Sequence, residues 1–382
     1  MTLAALGADV IRIDRPEGGL DFHRWPVTRD GQSLYWTGLN KGKRSVAIDL
    51  TTPRGRDLAT RLICAPGAGA GIVLTNLAGG WMSYQALSAQ RADLIMVSIL
   101  GNPDGSSAVD YTVNAATGFP FLTGPEDWDA PVNHVLPAWD GMTGFLAATG
   151  ILAAERYRSR TGRGQLIRLA LTDVAMSMVG HLGLLAEVQV EDRDRERIGN
   201  HLYGAFGRDF LTRDGRRLMV VALTAKQWEA LCAATSLAPA FSAAGKTLGL
   251  ELRREGDRYL AREALAAVLE PWISGRSLVE VGAAFDAHGV CWGRYQTVRE
   301  LVETDPRCST ANPMFAEVYQ RGVGTYLMPG SPLDFSDTAR LPPQPAPALG
   351  EHSAEVLSEV LGLAQQDLAR LTEAGIIGSR LG

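Results

Sequence analysis

The chain predicts an α/β fold: a Rossmann-like parallel sheet in a large domain, followed by a smaller α+β domain. Two observations carry this reading. From the start of the chain to Asp173, short β-rich runs alternate with helical segments, the pattern of parallel strands joined by crossover helices. The run LIMVSIL at 94–100 is almost wholly apolar, as a strand covered on both faces must be.

Strands are predicted at 9–13, 45–48, 71–74, 94–97 and 165–171. Between them lie a helix opened by Pro53, which suits a first helical position, a helix at 83–90 and a long one at 139–158. An apolar helix follows Thr172-Asp173 and ends in the charge run EDRDRER at 191–197, read as a solvated linker. Beyond it, segments 209–212 and 217–222 flank the turn Asp214-Gly215 and predict a hairpin. Helices at 228–234, 258–269 and 278–288 and a strand at 290–295 complete the smaller domain. Segment 341–350 is Pro-rich and extended, and two short helices begin near Glu351 and Gln365. The expected division is 1–190 large domain, 191–205 linker, 206–325 small domain, and 326–382 returning to the large domain.

With 382 residues the chain is long enough for two or three domains, at about 150 residues each. Hydrophobic content of 46% and charged content of 21% describe an ordinary globular protein. A net charge of -5 argues against a nucleic-acid partner, since such surfaces must be basic to displace counterions. No apolar run has the length of a membrane span, and the start shows no basic segment with a cleavage site; the expectation is a cytoplasmic protein with no membrane partner. The four cysteines and six histidines are scattered without C-x-x-C or H-x-x-x-H spacing, so neither a disulfide framework nor a metal site is expected.

The run Gly67-Ala-Gly-Ala-Gly71 follows a helix and enters a strand. A phosphate-cradling loop has the opposite context, so this is a connection. P-loop and G-x-S-x-G sequences are absent. Lys41, Lys43 and Arg44 cluster ahead of a strand, and by themselves read as solvated surface; an acidic protein holding a polyphosphate needs such a patch. Asp173 stands where a strand hands over to a helix. Alone it reads as a helix N-cap, although a carboxylate in that place also stays ionised and nucleophilic. Asp140 in PAWDGMTG reads as a helix-start cap.

The surrounding text, TGRGQLIRLALTDVAMSM, resembles the nucleophile segment of the family III CoA-transferases. GADVIRIDRP, Asn40 to Ser45, Ile48-Asp49-Leu50, Thr75-Asn76-Leu77, Asp110-Tyr111 and LGEHSAEVLSEVLGL match further family segments in the same order. The resemblance implies Asp173 as the residue that attacks an acyl-CoA thioester. It implies CoA contacts at Arg15, Lys43, Arg44, Ile48, Asp49, Asn76 and Leu77, with Asp110 and Tyr111 beside the pantetheine arm. It also implies a strand and half a helix ahead of Met1, and an interlocked homodimer.

Within the family, VDYTVNAATGFPFLTGP, VNHVLPAWD, GNHLYGAFGRDF, CSTANPMFAEV and GTYLMPGSPLDF resemble members that shift CoA from carbon-1 to carbon-4 of mesaconate. That activity needs no cofactor beyond the CoA of the acyl-CoA substrate. The freed diacid must be held while it turns, for which His134, His201, Tyr203 and Arg208 are the candidate donors. Intermolecular transfer between two acids would use the same Asp173, and a non-catalytic CoA-binding protein would use none of this chemistry. Racemisation is disfavoured, because the base of the family's racemases falls on Phe121, a hydrocarbon ring.

Overall fold

A computed structural model describes residues 1–77 and 79–378 of the chain. Among these, eleven strands form: β1 (Ile11–Asp14), β2 (Arg44–Ile48), β3 (Ile72–Thr75), β4 (Ile95–Leu100), β5 (Gln165–Ala170), β6 (Phe206–Leu211), β7 (Arg217–Ala222), β8 (Cys291–Arg294), β9 (Phe315–Gln320), β10 (Gly324–Pro329) and β11 (Ile377–Gly378). The chain divides into two compact units. One holds 1–113, 137–177 and 304–382; the other holds 114–136 and 178–303.

In the first unit, β3, β4 and β5 lie side by side and parallel, with Ile95 opposite Ile72 on one side and Gln165 on the other. The crossover into β5 is the Ala138–Thr161 helix, which packs Ala147 and Ile151 against Val97. Val97 is fully buried, worth about 1.5–3 kcal/mol relative to exposure. Its run of apolar neighbours therefore forms a covered strand, as its sequence predicts. Gly162, at φ 69°, ends that helix.

The single parallel sheet expected from the sequence is instead two three-stranded sheets. β1 and β2 are parallel, but β2 spends its other edge on β11, which runs antiparallel with Ile377 opposite Ile48. The C-terminal return builds this edge. Gln320 pairs its side-chain amide with the backbone N–H and carbonyl of Ala346 (2.8 and 3.0 Å), and the Trp36 indole donates to the Pro347 carbonyl at 3.2 Å. Gly350 then donates to Ser45 Oγ at 2.9 Å, while Ser353 Oγ accepts from Ala47 N–H at 3.0 Å and donates to the Gly378 carbonyl at 2.9 Å. A Cβ on Gly350 would lie 2.3 Å from that carbonyl, so the LGEHS motif is a clasp that only glycine can open. Val356, Leu357, Leu368 and Leu371 close the core against Val46, Ile48 and Leu58.

The hairpin β9–β10 (Phe315–Pro329) is not foreseen by the sequence and lies in the first unit, whereas the small domain was expected to reach 325. The Gln320–Ala346 pairing is the reason, since it fastens the hairpin to the returning segment.

The second unit is built on the antiparallel sheet β6–β7–β8, whose hairpin turns at Asp214-Gly215 as predicted. Phe206, Leu218 and Val220 from the sheet meet Trp228, Leu231, Phe241, Leu265 and Phe285 from the helices. Its first part begins well before the expected boundary. The helix after Asp173 breaks at Gly183 (φ 81°) into Leu171–His181 and Leu184–Glu191, bent by 59°. The charge run is irregular and mostly exposed, as expected of a solvated linker, but two of its arginines, Arg195 and Arg197, are partly buried. Arg193 and Arg195 pair with Glu187 at 3.0 and 2.7 Å, and Arg197 donates to backbone carbonyls of segment 120–130, which draws that segment into this unit. Among the described residues no single helix is long and apolar enough to cross a membrane.

Candidate active site

In a parallel sheet every strand ends on the same side, and backbone groups that leave the ladder there meet the starts of the following helices. In the first unit these C-terminal ends gather several of the predicted residues. Asn76 and Leu77 follow β3, both exposed, with Leu77 N–H held by Thr75 Oγ1 at 3.0 Å. Gly101 and Asn102 follow β4, and Asp173 follows β5.

Asp173 is the third residue of the Leu171–His181 helix, inside its first turn and not an N-cap. Its side chain is exposed and has no hydrogen-bond or ion-pair partner among the described residues. An anion in a helix's first turn is favoured by the macrodipole by roughly 0.3–1 kcal/mol. Such a carboxylate is accessible and uncommitted, which is what a nucleophile requires. Its neighbours in sequence are committed: Thr172 donates through Oγ1 to Asn102 Oδ1 at 2.6 Å, and its N–H donates to the Gly101 carbonyl at 3.1 Å. Gly101 and Asn102 carry no weight in the sequence reading. The turn sequence Asn102-Pro-Asp-Gly105 directly after a strand was the available signal.

The β1–β2 pair presents Arg15 and Asp49 beyond its own C-terminal ends. Arg15 is exposed. Asp49 accepts from the Thr51 N–H and hydroxyl at 2.9 and 2.6 Å, which together hold its carboxyl below the ordinary range, the hydroxyl bond foremost. Ile48 is fully buried and its backbone is paired with β11.

Lys43 donates to Asn40 Oδ1 at 2.8 Å beside Arg12. Burial, and then the Arg12 charge, lower its pKa to about 8. Arg44 is used differently. It pairs with Asp9, with Glu355 at 3.2 Å and with Glu359 at 2.6 Å, the Asp9 bond foremost in pushing its pKa up. Three carboxylates already match its one charge, so it ties β2 to the Ser353–Leu361 helix.

Asp110 is 2% exposed, and its Oδ2 accepts from the backbone N–H groups of Trp139 (2.8 Å) and Asp140 (3.0 Å). It therefore supplies the cap that the sequence assigned to Asp140. Asp140 sits within the first turn, where desolvation and then the Asp110 charge raise its pKa. Tyr111 is exposed one residue on.

The four candidate diacid donors, His134, His201, Tyr203 and Arg208, all belong to the second unit. His201 Nε2 lies 3.0 Å from Glu263, and its Nδ1 is buried without a hydrogen-bond partner. Burial foremost, with help from the charges of Arg208 and Arg262 and against Glu263, holds its imidazole below the ordinary value. The Tyr203 hydroxyl is committed elsewhere: it donates to Glu187 at 2.8 Å while Arg195 stacks over its ring. Arg208 directs its Nε to the Asp209 carbonyl at 3.3 Å. His134 is half-buried in the 131–136 loop, and Phe121 is 59% exposed.

An uncommitted carboxylate in the first turn of a helix, at the C-terminal edge of a parallel sheet, defines an α/β enzyme suited to acyl transfer. Over residues 1–353 the chain matches the model of CoA-transferase family III, and it belongs to that family. It is 60% identical to the 2-methylfumaryl-CoA isomerase of Chloroflexus aurantiacus, with 99% of this chain and 93% of that one covered. It is 29% identical to the succinyl-CoA:mesaconate CoA-transferase of Haloarcula marismortui over 94% of this chain and 91% of that one. The mixed α/β fold with its parallel strands also matches the crystal structure of a CAIB/BAIF family protein from Brucella suis, with a TM-score of 0.75, 26% identity, and coverage of 94% of this chain and 93% of that one.

Proposed function

We propose that the protein converts 2-methylfumaryl-CoA, the C1 thioester of mesaconate, into the C4 thioester by intramolecular CoA transfer. The observation that carries this reading is the uncommitted Asp173 carboxylate, taken with 60% identity to a 2-methylfumaryl-CoA isomerase. An Asp173 oxygen attacks the C1 thioester carbonyl, breaking the C–S bond and giving a mixed anhydride and CoA thiolate. The thiolate attacks the aspartyl carbonyl, freeing mesaconate and leaving an aspartyl-CoA thioester. The C4 carboxylate of the retained diacid then attacks that thioester, and the released thiolate takes the C4 acyl group from the second anhydride. Asp173 ends as it began. Lys43, Arg15, Asp49, Asn76, Leu77, Asp110 and Tyr111 serve the CoA moiety, and His134, His201 and Arg208 the idle carboxylate. CoA enters as part of the substrate, and the reaction draws on no further cofactor.

The working form is an interlocked homodimer in the cytoplasm. The Ala138–Thr161 helix supports the dimer, because Met142, Phe145, Leu146 and Leu152 are exposed on it, Phe145 to 61%. A large apolar face of this kind is ordinarily covered by a partner. A single species at twice the chain mass in light scattering is the expected result, and a stable monomer counts against it.

The intermolecular alternative is favoured by the likeness to a transferase acting between succinyl-CoA and mesaconate. Incubating mesaconyl-C1-CoA with isotopically labelled free mesaconate separates the two. The proposal expects an unlabelled C4 thioester and an inactive Asp173→Ala variant; label in the product thioester would defeat it.

A further inference from the structure

We propose that Asn102 is a positioning residue for the Asp173 nucleophile and acts through Thr172. The inference rests on the reading of Asp173 given above.

The β4–β5 ladder does not stop with its strands. The Thr172 N–H donates to the Gly101 carbonyl at 3.1 Å, and the Thr172 hydroxyl donates to Asn102 Oδ1 at 2.6 Å, with the Gly101 carbonyl a longer second acceptor at 3.2 Å. Asn102 is held from its other side by Nδ2, which donates to Ser106 Oγ at 3.0 Å and leans on the Ser107 carbonyl at 3.5 Å. The loop is closed on itself. Asn102 N–H donates to the Ser106 carbonyl at 3.1 Å, Gly105 N–H to the Asn102 carbonyl at 3.0 Å, and Asp104 Oδ1 accepts from Ser106 N–H and Oγ at 2.9 and 2.7 Å. At Gly101 a Cβ would stand 2.3 Å from the Ala108 nitrogen. The two ends of the loop are thus pressed together beside the residue that precedes Asp173.

The Asn102 amide serves both sides of this junction. It accepts from a hydroxyl and donates to an oxygen at once. A carboxylate there would lack the donor. Pro103 to Ser107 are exposed, so the network buries little apolar surface, and its effect is local. Asp173 has no partner of its own among the described residues, so its side chain takes its position from the backbone at Thr172. That matters because a nucleophile displaced by about 1 Å can lose on the order of 100-fold in rate.

The test compares Asn102→Ala, Thr172→Val, Thr172→Ser and the Asn102→Ala/Thr172→Val double variant with the parent enzyme. The readouts are kcat and KM for C1-to-C4 conversion, the rate at which hydroxylamine traps acylated Asp173, and Tm. Asn102→Ala and Thr172→Val should each lower kcat by about 10- to 100-fold with KM within about threefold, and trapping should slow in step. Thr172→Ser keeps the hydroxyl and should stay within about threefold of the parent, while the double variant should be no slower than the slower single. Parental kcat in Asn102→Ala or in Thr172→Val, a Thr172→Ser variant as slow as Thr172→Val, a change in KM alone, or multiplying effects in the double variant would each overturn the proposal. If Asn102→Ala does not fold, the two Thr172 variants decide alone. An active Asp173→Ala variant removes the functional reading itself. An inactive one beside a full-rate Asn102→Ala removes only this inference.

Discussion

The Asp110 carboxylate caps the helix on which Asp140 stands, its Oδ2 accepting from the Trp139 N–H at 2.8 Å and the Asp140 N–H at 3.0 Å. Two of the orphan donors of a 24-residue helix are satisfied by a side chain from a segment nearly thirty residues earlier in the chain. The cap residue proper, Pro137, has no side-chain oxygen to offer. Asp110 thereby fixes the start of the crossover that leads into β5 and Asp173.

Replacing Asp110 by Ala should cost about 1–2 kcal/mol, the ordinary value of a lost cap. Asp110→Asn keeps an acceptor and should recover a good part of that. Chemical denaturation measures both, with an unchanged m-value showing that only stability moved. Equal stabilities for the Ala and Asn variants would show that the carboxylate does not cap the helix.

Lys43 offers a pH test of the CoA-binding reading. Its folded pKa is about 8 against an ordinary 10.5, so between those values the unfolded chain binds more protons. Its contribution to stability therefore rises as pH climbs through that window and is constant on either side. A phosphate placed beside the amine favours its charged form. CoA binding just above pH 8 should take up roughly half a proton or more, and near pH 6, where Lys43 is already charged, almost none. Calorimetry in two buffers of different ionisation enthalpy reads the uptake directly. Uptake that persists in Lys43→Met would assign the proton to another group.

The parallel strands and the place of Asp173 were legible in the sequence because both are local patterns: apolar runs of strand length, a strand followed at once by an acidic helix start. Lost from view were the features set by pairing over long separations. Ile377 beside Ile48 splits the expected sheet in two. The cap assigned to Asp140 is made by Asp110, because it comes from outside the helix. The charge run 191–197 is largely solvated as read, but composition does not reveal that Arg195 meets Glu187 or that Arg197 meets carbonyls some seventy residues earlier. Arg44, which the family resemblance assigned to CoA, is a residue of the same kind.

For Arg44 the structure and the resemblance make opposite forecasts. Bound to Asp9, Glu355 and Glu359, it should act on stability: Arg44→Ala should lose about 1 kcal/mol at low salt and less at high salt, as a half-exposed ion network does. CoA affinity should be unchanged. Denaturation at two salt concentrations and a CoA titration check the pair of expectations. A weakened CoA complex in a variant of parental stability would return Arg44 to the phosphates.

Arg197 anchors segment 120–130 by bonding only to backbone carbonyls: Nε to Phe121 at 3.0 Å, Nη2 to Ala130 at 2.9 Å and to Pro120 at 3.3 Å, and Nη1 to Trp128. A planar fork can hold four acceptors spread around it; an ammonium offers a compact point charge and cannot span them. Arg197→Lys should therefore behave like Arg197→Gln and not like the parent. Losing these bonds by about 1.4 kcal/mol would raise the population of the opened segment, and hence its cleavage by dilute protease, by about tenfold. Global Tm should move far less, since Trp128 and Phe121 are exposed and contribute little to the core of this unit. Mass spectrometry of the first cleavage product locates the cut. A Lys variant as resistant as the parent would mean that charge alone secures the segment, and a Gln variant as resistant as the parent would place the anchor elsewhere, with the Val132 N–H to Pro120 carbonyl bond of 2.8 Å the next to test.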